Sequence, residues 1–284
     1  MGAHVPDARG SGTWGSREAA AEWRRGAAAR LAALGPATEM MLDLAGVKTG
    51  SRVLDVGAGA GDSALVAARR SRPTGHVLAT DISASMLEIA AESAGHERLT
   101  NLSTRVADAQ HLDLASDSFD AAISRNCLML IPDYRRALTE IRRVLTPGGR
   151  FAAIVYSTPD RCPYFSIPHA IAFRVGRLTS PPVEEYGEFR LSAPGLLPEA
   201  FSSAGFRDVT VHTVSTRRRF PSLSDAMQFA RGPLPLRELM IRLSPSEQAQ
   251  AWTEIERALA QFVGPNGYDS PCEVLIGVGN EISW

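Results

Sequence analysis

Between residues 52 and 157 short apolar runs alternate with longer segments in which apolar residues recur every three or four positions. RVLDVG (52–57), GHVLATD (75–81), LSTRVAD (102–108), FDAAIS (119–124) and GRFAAIVYS (149–157) read as strands. DSALVAARRS (62–71), SASMLEIAAESAG (83–95) and YRRALTEIRRVL (134–145) read as helices, with Ser83 as an N-cap. Near-continuous apolar strands separated by helices predict right-handed crossovers and a parallel sheet covered on both faces. Upstream, residues 16–46 are alanine-rich, with Trp23, Ala27, Leu31 and Leu34 on a helical repeat; Gly35-Pro36 is the expected break between two helices.

The alternation stops after Tyr156. Residues 158–190 hold many prolines and aromatics, too long and too apolar for a plain loop, and predict an inserted helical cap. GLLPEAFSSA (195–204) reads as a helix, GFRDVTVHTVS (205–215) as a strand and EVLIGVGN (273–280) as the last strand. Residues 222–263 predict further helices, with Ser224 and Ser244 as caps. Arg217–Arg219 reads as a solvated turn.

Composition narrows the class. Of 284 residues 44% are hydrophobic and 21% charged, enough for a large core. The balance of 30 Lys+Arg against 31 Asp+Glu gives no basic field of the kind nucleic acid requires. Cys127, Cys162 and Cys272 are odd in number and lack C-x-x-C spacing, which points to a reducing cytoplasm rather than a disulfide framework or a zinc site. The opening MGAHVPDARGSGTWGS lacks the apolar stretch of a secretory signal and reads as a disordered tail. No apolar run is long enough for a membrane span.

The chemistry concentrates in VLDVGAGAGD (53–62). Gly57, Gly59 and Gly61, between a strand and a helix, let the backbone approach a ligand closely. A phosphate-cradling P-loop needs a lysine that is missing. A dinucleotide site wants a third glycine where Asp62 stands, and a carboxylate at that helix start would repel a pyrophosphate. S-adenosylmethionine carries two cationic groups and a ribose diol but no phosphate, and acidic neighbours suit it. An NAD-dependent oxidoreductase and a non-catalytic cofactor-binding protein remain the alternatives.

The loop resembles the first motif, D/E-x-G-x-G-x-G, of the class I S-adenosylmethionine-dependent methyltransferases, filled by Asp55, Gly57, Gly59 and Gly61. VADAQHLDLASDSFDAAIS (106–124) and LTEIRRVLTPGGRFAAIVY (138–156) resemble later segments of the branch that acts on ubiquinone and menaquinone precursors. The likeness spans roughly residues 50–157. It implies a Rossmann-like α/β fold with a mostly parallel seven-stranded sheet and helical cap insertions. It also implies that Asp81 grips the ribose, that Ile82 and Met86 pack on the adenine, and that Asp108 and Ala109 meet its edge. Asp55 and the loop, Ala58 included, would lie by the methionine end of the cofactor. Asn126, after the fourth strand, faces cofactor or substrate.

The expected organisation is a tail and cap helices over 1–48 and a methyltransferase core over 49–284, with insertions at about 158–190 and 222–263. The expected reaction moves a methyl to O, C or N of a small ring-containing metabolite, with a role in secondary metabolism. SRNCLMLIPD (124–133) lacks the N/D-P-P-[FYW] motif of nucleobase and glutamine methylators. Tyr156, His169 and His212 are the candidate bases, His111 reads as a turn residue, and Trp23 could cover the site. The 222–263 helices could mediate a homodimer.

Overall fold

The computed structural model describes residues 16–179, 187–232 and 235–282. The tail reading for the first fifteen residues, and the prolines at 181 and 182, lie outside these. Helices α1 (Arg17–Arg25) and α2 (Ala27–Leu44) come first. Strand β1 (Arg52–Val56), α3 (Asp62–Ser71), β2 (His76–Asp81), α4 (Ala84–His96), β3 (Leu102–Val106), β4 (Phe119–Arg125), α5 (Tyr134–Val144) and β5 (Leu145–Tyr156) follow. The second half adds α6 (Pro163–Val175), α7 (Leu196–Ser203), β6 (Arg207–Phe220), α8 (Leu223–Ala230), α9 (Pro235–Met240), α10 (Pro245–Leu259), β7 (Val263–Gly264) and β8 (Gly267–Asn280).

The sheet runs β3-β2-β1-β4-β5-β8-β6, with the two-residue β7 paired to β8 outside this path. The first five strands are parallel, and β8 is antiparallel to both β5 and β6. The seven-stranded, mostly parallel sheet is therefore present, and the last strand inserts between β5 and β6. Strand order reverses at β1, between β2 and β4, which is where an open α/β sheet offers a crevice. β1 is buried along Val53–Val56, which explains its unbroken apolar reading. Phe151 of β5 is fully buried and stacks on Phe201 of α7, with ring centroids 5.2 Å apart; burying one such ring contributes roughly 2–3 kcal/mol.

Two local expectations are corrected. The break between the first helices falls at Gly26, and α2 runs straight through Gly35 and Pro36. Gly26 ends α1 because a side chain there would meet the Phe229 ring at 2.5 Å, while Pro36 gives up one N–H inside a helix otherwise secured by packing. The N-cap of α8 is Ser222, whose Oγ accepts from the Asp225 N–H, and Ser224 lies inside the helix. Ser83 and Ser244 do cap α4 and α10, the latter with Glu247 closing a capping box.

The Arg217–Arg219 run is also not a turn. It lies in β6, so alternate side chains point to opposite faces. Arg217 and Arg219 reach out to Asp269, whereas Arg218 is 2% exposed.

Candidate active site

The carboxyl ends of β1, β2, β4 and β5 converge on the glycine loop. Gly57, Gly59 and Gly61 all have positive φ, at 68°, 54° and 88°. A Cβ at Gly57 would stand 2.1 Å from the Cys127 sulfur, and one at Gly61 would stand 2.8 Å from Ala90 Cβ. The glycines are thus required by conformation and by space. The loop is tied to the neighbouring strand: Ala58 N–H donates to Thr80 O at 2.9 Å, and Gly59 N–H donates to Asp81 Oδ2 at 2.9 Å. The other Asp81 oxygen accepts from Ser83 N–H at 2.9 Å, and each oxygen keeps lone pairs for further donors. Burial raises the Asp81 pKa.

Asp55 closes the bottom of the loop. It is fully buried; its Oδ2 accepts from Ser63 Oγ at 2.7 Å, and its Oδ1 has no partner. Burial lifts its carboxyl to about 7, with the Asp81 and Asp62 charges adding to the rise and Ser63 and Arg125 opposing it. A buried carboxylate with an orphaned oxygen beneath a backbone cradle fits a cationic ligand.

Ala107 N–H donates to Asp81 O at 3.0 Å, which brings the segment after β3 alongside. Asp108 there accepts from Gln110 N–H and Nε2, both at 2.9 Å, so its carboxylate makes an Asx turn. Ala109 is buried, while Ile82 is 43% exposed beside Asp81, an apolar side chain placed for a ring to cover. Met86 lies in the first turn of α4. It is buried with Ala20, Ala60 and Ile89, and Trp23 of α1 packs on the same group. The Trp23 Nε1 lies 3.7 Å from where a Gly59 Cβ would be, so α1 sits over the loop. His111 is exposed at the turn.

Asp62 does not stand free at the helix start. Arg30 Nε and Arg125 Nη2 donate to its Oδ2 at 2.8 and 2.6 Å. Burial alone would raise its pKa, but the two guanidiniums outweigh this and hold it low. Its charge is therefore neutralised, and the expected repulsion of a pyrophosphate is not what selects the ligand.

On the far side of the loop, Asn126 adopts φ 54° and donates from Nδ2 to the Tyr156 hydroxyl at 3.1 Å, while its Oδ1 is buried without a partner. Arg218 Nη2 also donates to the Tyr156 hydroxyl. Burial raises the Tyr156 phenol well above its ordinary value, although Arg218 opposes this. A phenol raised in this way keeps its proton at neutral pH and is a weak base there. His169, on α6, holds Phe165 O with Nδ1 at 2.9 Å and faces Glu188 Oε2 with Nε2 at 3.6 Å. His212 sits on the edge strand β6 and contacts Thr210 Oγ1 at 3.3 Å. It is four strands from β1, roughly 19 Å away, and does not join the cluster. The sequence reading missed Arg30, Arg125, Glu188 and Arg218. Strand alternation in the RRR run was the one available signal, and it applied to Arg218.

A strand order that reverses at a glycine-loop crevice, with an acidic residue ending β2, defines a nucleoside-binding α/β fold of the Rossmann type. A methyltransferase-domain family model matches residues 47–170. A demethylmenaquinone methyltransferase of Halalkalibacterium halodurans is 34% identical over 179 residues, 60% of this chain and 73% of the relative. In fold the chain is similar to the YcgJ protein of Bacillus subtilis, with a TM-score of 0.59 at 19% identity over 87% of this chain and 98% of that one. It is also similar to a Haemonchus contortus phosphoethanolamine N-methyltransferase solved with S-adenosylhomocysteine, at TM-score 0.55 and 21% identity over 87% of this chain and 53% of that one. The chain belongs to the class I S-adenosylmethionine-dependent methyltransferases, in their quinone-type branch. It is an enzyme whose cofactor is S-adenosylmethionine, which decides among the ligand classes left open by the glycine loop.

Proposed function

We propose that the protein methylates a small, flat, ring-containing acceptor held between the loop after β4, the end of β5 and the cap helix α6. The observation that carries this reading is the 34% identity with a quinone-type relative over 179 residues, beside a methyltransferase-domain match over 47–170 that takes in the loop and β1 to β5. In this assignment Gly57, Ala58, Gly59 and Gly61 cradle the cofactor and Asp81 takes its ribose hydroxyls. Ile82, Met86, Asp108 and Ala109 border the adenine, and Asp55 faces the cationic end. Bound S-adenosylmethionine supplies an electrophilic methyl on sulfur.

The chain's own residues orient the acceptor and exclude water. Tyr164, Phe165, Phe220, Phe229 and Tyr268 contact one another as an aromatic wall, suited to an apolar ring. His169, aligned by Phe165 O and opposed by Glu188, is the candidate acceptor of a proton from a ring hydroxyl. The division into a cap-helix segment over 1–48 and a core with two insertions is part of the same proposal, as are a cytoplasmic location, a role in secondary metabolism and a homodimer through the 222–263 helices. Among the described residues no helix is long and apolar enough to cross a membrane.

The test is incubation with S-adenosylmethionine and a panel of naphthols, hydroquinones and aromatic amines, with S-adenosylhomocysteine measured by chromatography. Turnover of at least one ring acceptor is expected. Cofactor binding without turnover of any of them would count against a ring-containing acceptor.

A further inference from the structure

We propose that Arg218 binds a negatively charged oxygen on the acceptor, so that the enzyme takes ring acceptors bearing a carboxylate or an ionised hydroxyl. The proposal rests on the methyltransferase reading and names the acceptor's charge.

Arg218 is 2% exposed; its Nη2 donates to the Tyr156 hydroxyl, and the buried Cys272 thiol, held down to about 6 by its Cys162 partner and by Arg218, lies beside the guanidinium. Its Nε and Nη1 are buried without partners. The guanidinium lies 4.9 Å from the Phe165 ring centre and 5.7 Å from that of Tyr156. Aromatic faces soften the burial of a cation but do not supply the charge and acceptors that several free N–H groups require. A native arginine left in this condition points to a partner that arrives with the ligand.

The surrounding charges agree. Burial lowers the Arg30 pKa, Asp62 opposes this, and both Arg125 and Arg218 push it down further, which places three guanidiniums within one field. Asp62 pairs with two of them. Asp55 and Asp81 lie on the glycine-loop side, where the cofactor brings its own cations.

The location fits. β6 runs antiparallel to β8 and β8 antiparallel to β5, so Arg218, near the end of β6, lies at the same sheet edge as Tyr156. Asn126 bonds Tyr156, and the next residue, Cys127, presses on Gly57. β1 and β5 are two strands apart, about 10 Å, roughly the span of a transferred methyl and an acceptor ring. Arg218 reaches from β6, two strands beyond β5, to the Tyr156 hydroxyl at the end of that span. The cavity beneath α6, lined by Tyr164, Phe165, His169 and Glu188, is smaller than a ring, so the proposal requires α6 to shift.

The experiment titrates enzyme saturated with S-adenosylhomocysteine with benzoate, 2-naphthoate, 1-hydroxy-2-naphthoate and their methyl esters, by calorimetry. 4-Nitrophenol, whose absorbance reports its ionisation, is the phenolate arm. At least one acid is expected to bind tenfold or more tightly than its ester. Arg218→Gln should shrink that preference to within twofold and leave S-adenosylhomocysteine affinity within threefold; Arg218→Lys should restore part of it. Binding of 4-nitrophenol as the coloured anion would assign the site to ring oxyanions, and acid-only binding to carboxylates. Equal binding of acid and ester by wild type, binding of none of the anions, or an undiminished preference in Arg218→Gln would overturn the proposal. The wild-type comparison decides even if the variant fails to fold. Failure of S-adenosylhomocysteine to bind would strike the cofactor assignment instead, and the acid and ester titrations would then be read on the free protein.

Discussion

Asp55→Asn should make the ligand-free enzyme more stable at alkaline pH and a poorer binder of its cofactor. The unfolded carboxyl loses its proton near 3.8, and the folded one, raised by burial, near 7. Between those values the folded state holds the extra proton, so stability falls as pH rises. The full span of about 3 pH units corresponds to about 4 kcal/mol. From pH 5 to pH 8 the wild type should lose about 3 kcal/mol that Asp55→Asn does not lose, because an amide does not titrate. Asparagine can keep the bond from Ser63 Oγ but turns its amide toward the place of the unpartnered Oδ1, which costs about 1 kcal/mol at every pH. The variant is thus expected to be about as stable as wild type at pH 5, where wild type has already lost about 1 kcal/mol, and about 3 kcal/mol more stable at pH 8. Urea unfolding of both proteins at the two pH values, without cofactor, measures the double difference and cancels other titrations. A stability difference that stays constant with pH would refute the buried-carboxylate reasoning. Loss of the charge should also weaken S-adenosylmethionine binding at pH 8 by tenfold or more, as expected for one charge-assisted contact.

Gly61→Ala should cost about 2–4 kcal/mol in urea unfolding, from positive φ and from crowding against Ala90 Cβ, whereas Gly195→Ala, with φ of 84° and open space, should cost only about 1 kcal/mol. Asp62→Asn leaves Arg30 and Arg125 without a buried counter-charge and should lower stability by about 3–5 kcal/mol; a change under about 1 kcal/mol would show that the triad is dispensable. Tyr156→Phe should reduce kcat several-fold by freeing the Asn126 and Arg218 donors, yet leave the shape of the pH–rate profile unchanged, since burial keeps the phenol protonated near neutrality. Loss in that variant of a rise in rate with increasing pH would restore Tyr156 as a base.

Much of the first half of the fold is legible locally. A parallel strand buried on both faces writes an apolar run, and Gly57, Gly59 and Gly61 with Asp55 and Asp81 mark the loop and its neighbour strand without reference to distant residues. The second half is less legible because its order depends on pairing. Nothing in EVLIGVGN says that β8 inserts between β5 and β6 and runs against both. The helix break was misplaced because Gly35-Pro36 is the stronger local signal, whereas Gly26 is needed for its approach to Phe229, about 200 residues away in sequence. The arginines were hidden for the same reason. Arg30 and Arg125 earn no attention until the fold places both on Asp62, and Arg218 looks solvated until its strand shows that only its neighbours face outward. His212 was a candidate by residue type and lies on β6 six residues before Arg218, with Thr210 as its contact.

Calorimetric titration of S-adenosylhomocysteine into wild type and Asp81→Ala tests the cofactor assignment most directly. Asp81 holds Gly59 and Ser83 through their N–H groups and is the residue placed to take the ribose diol. Wild type should bind in the micromolar range, near −8 kcal/mol, and Asp81→Ala at least tenfold more weakly. Equal affinity in the two proteins, or no binding by a folded wild type, would contradict the account.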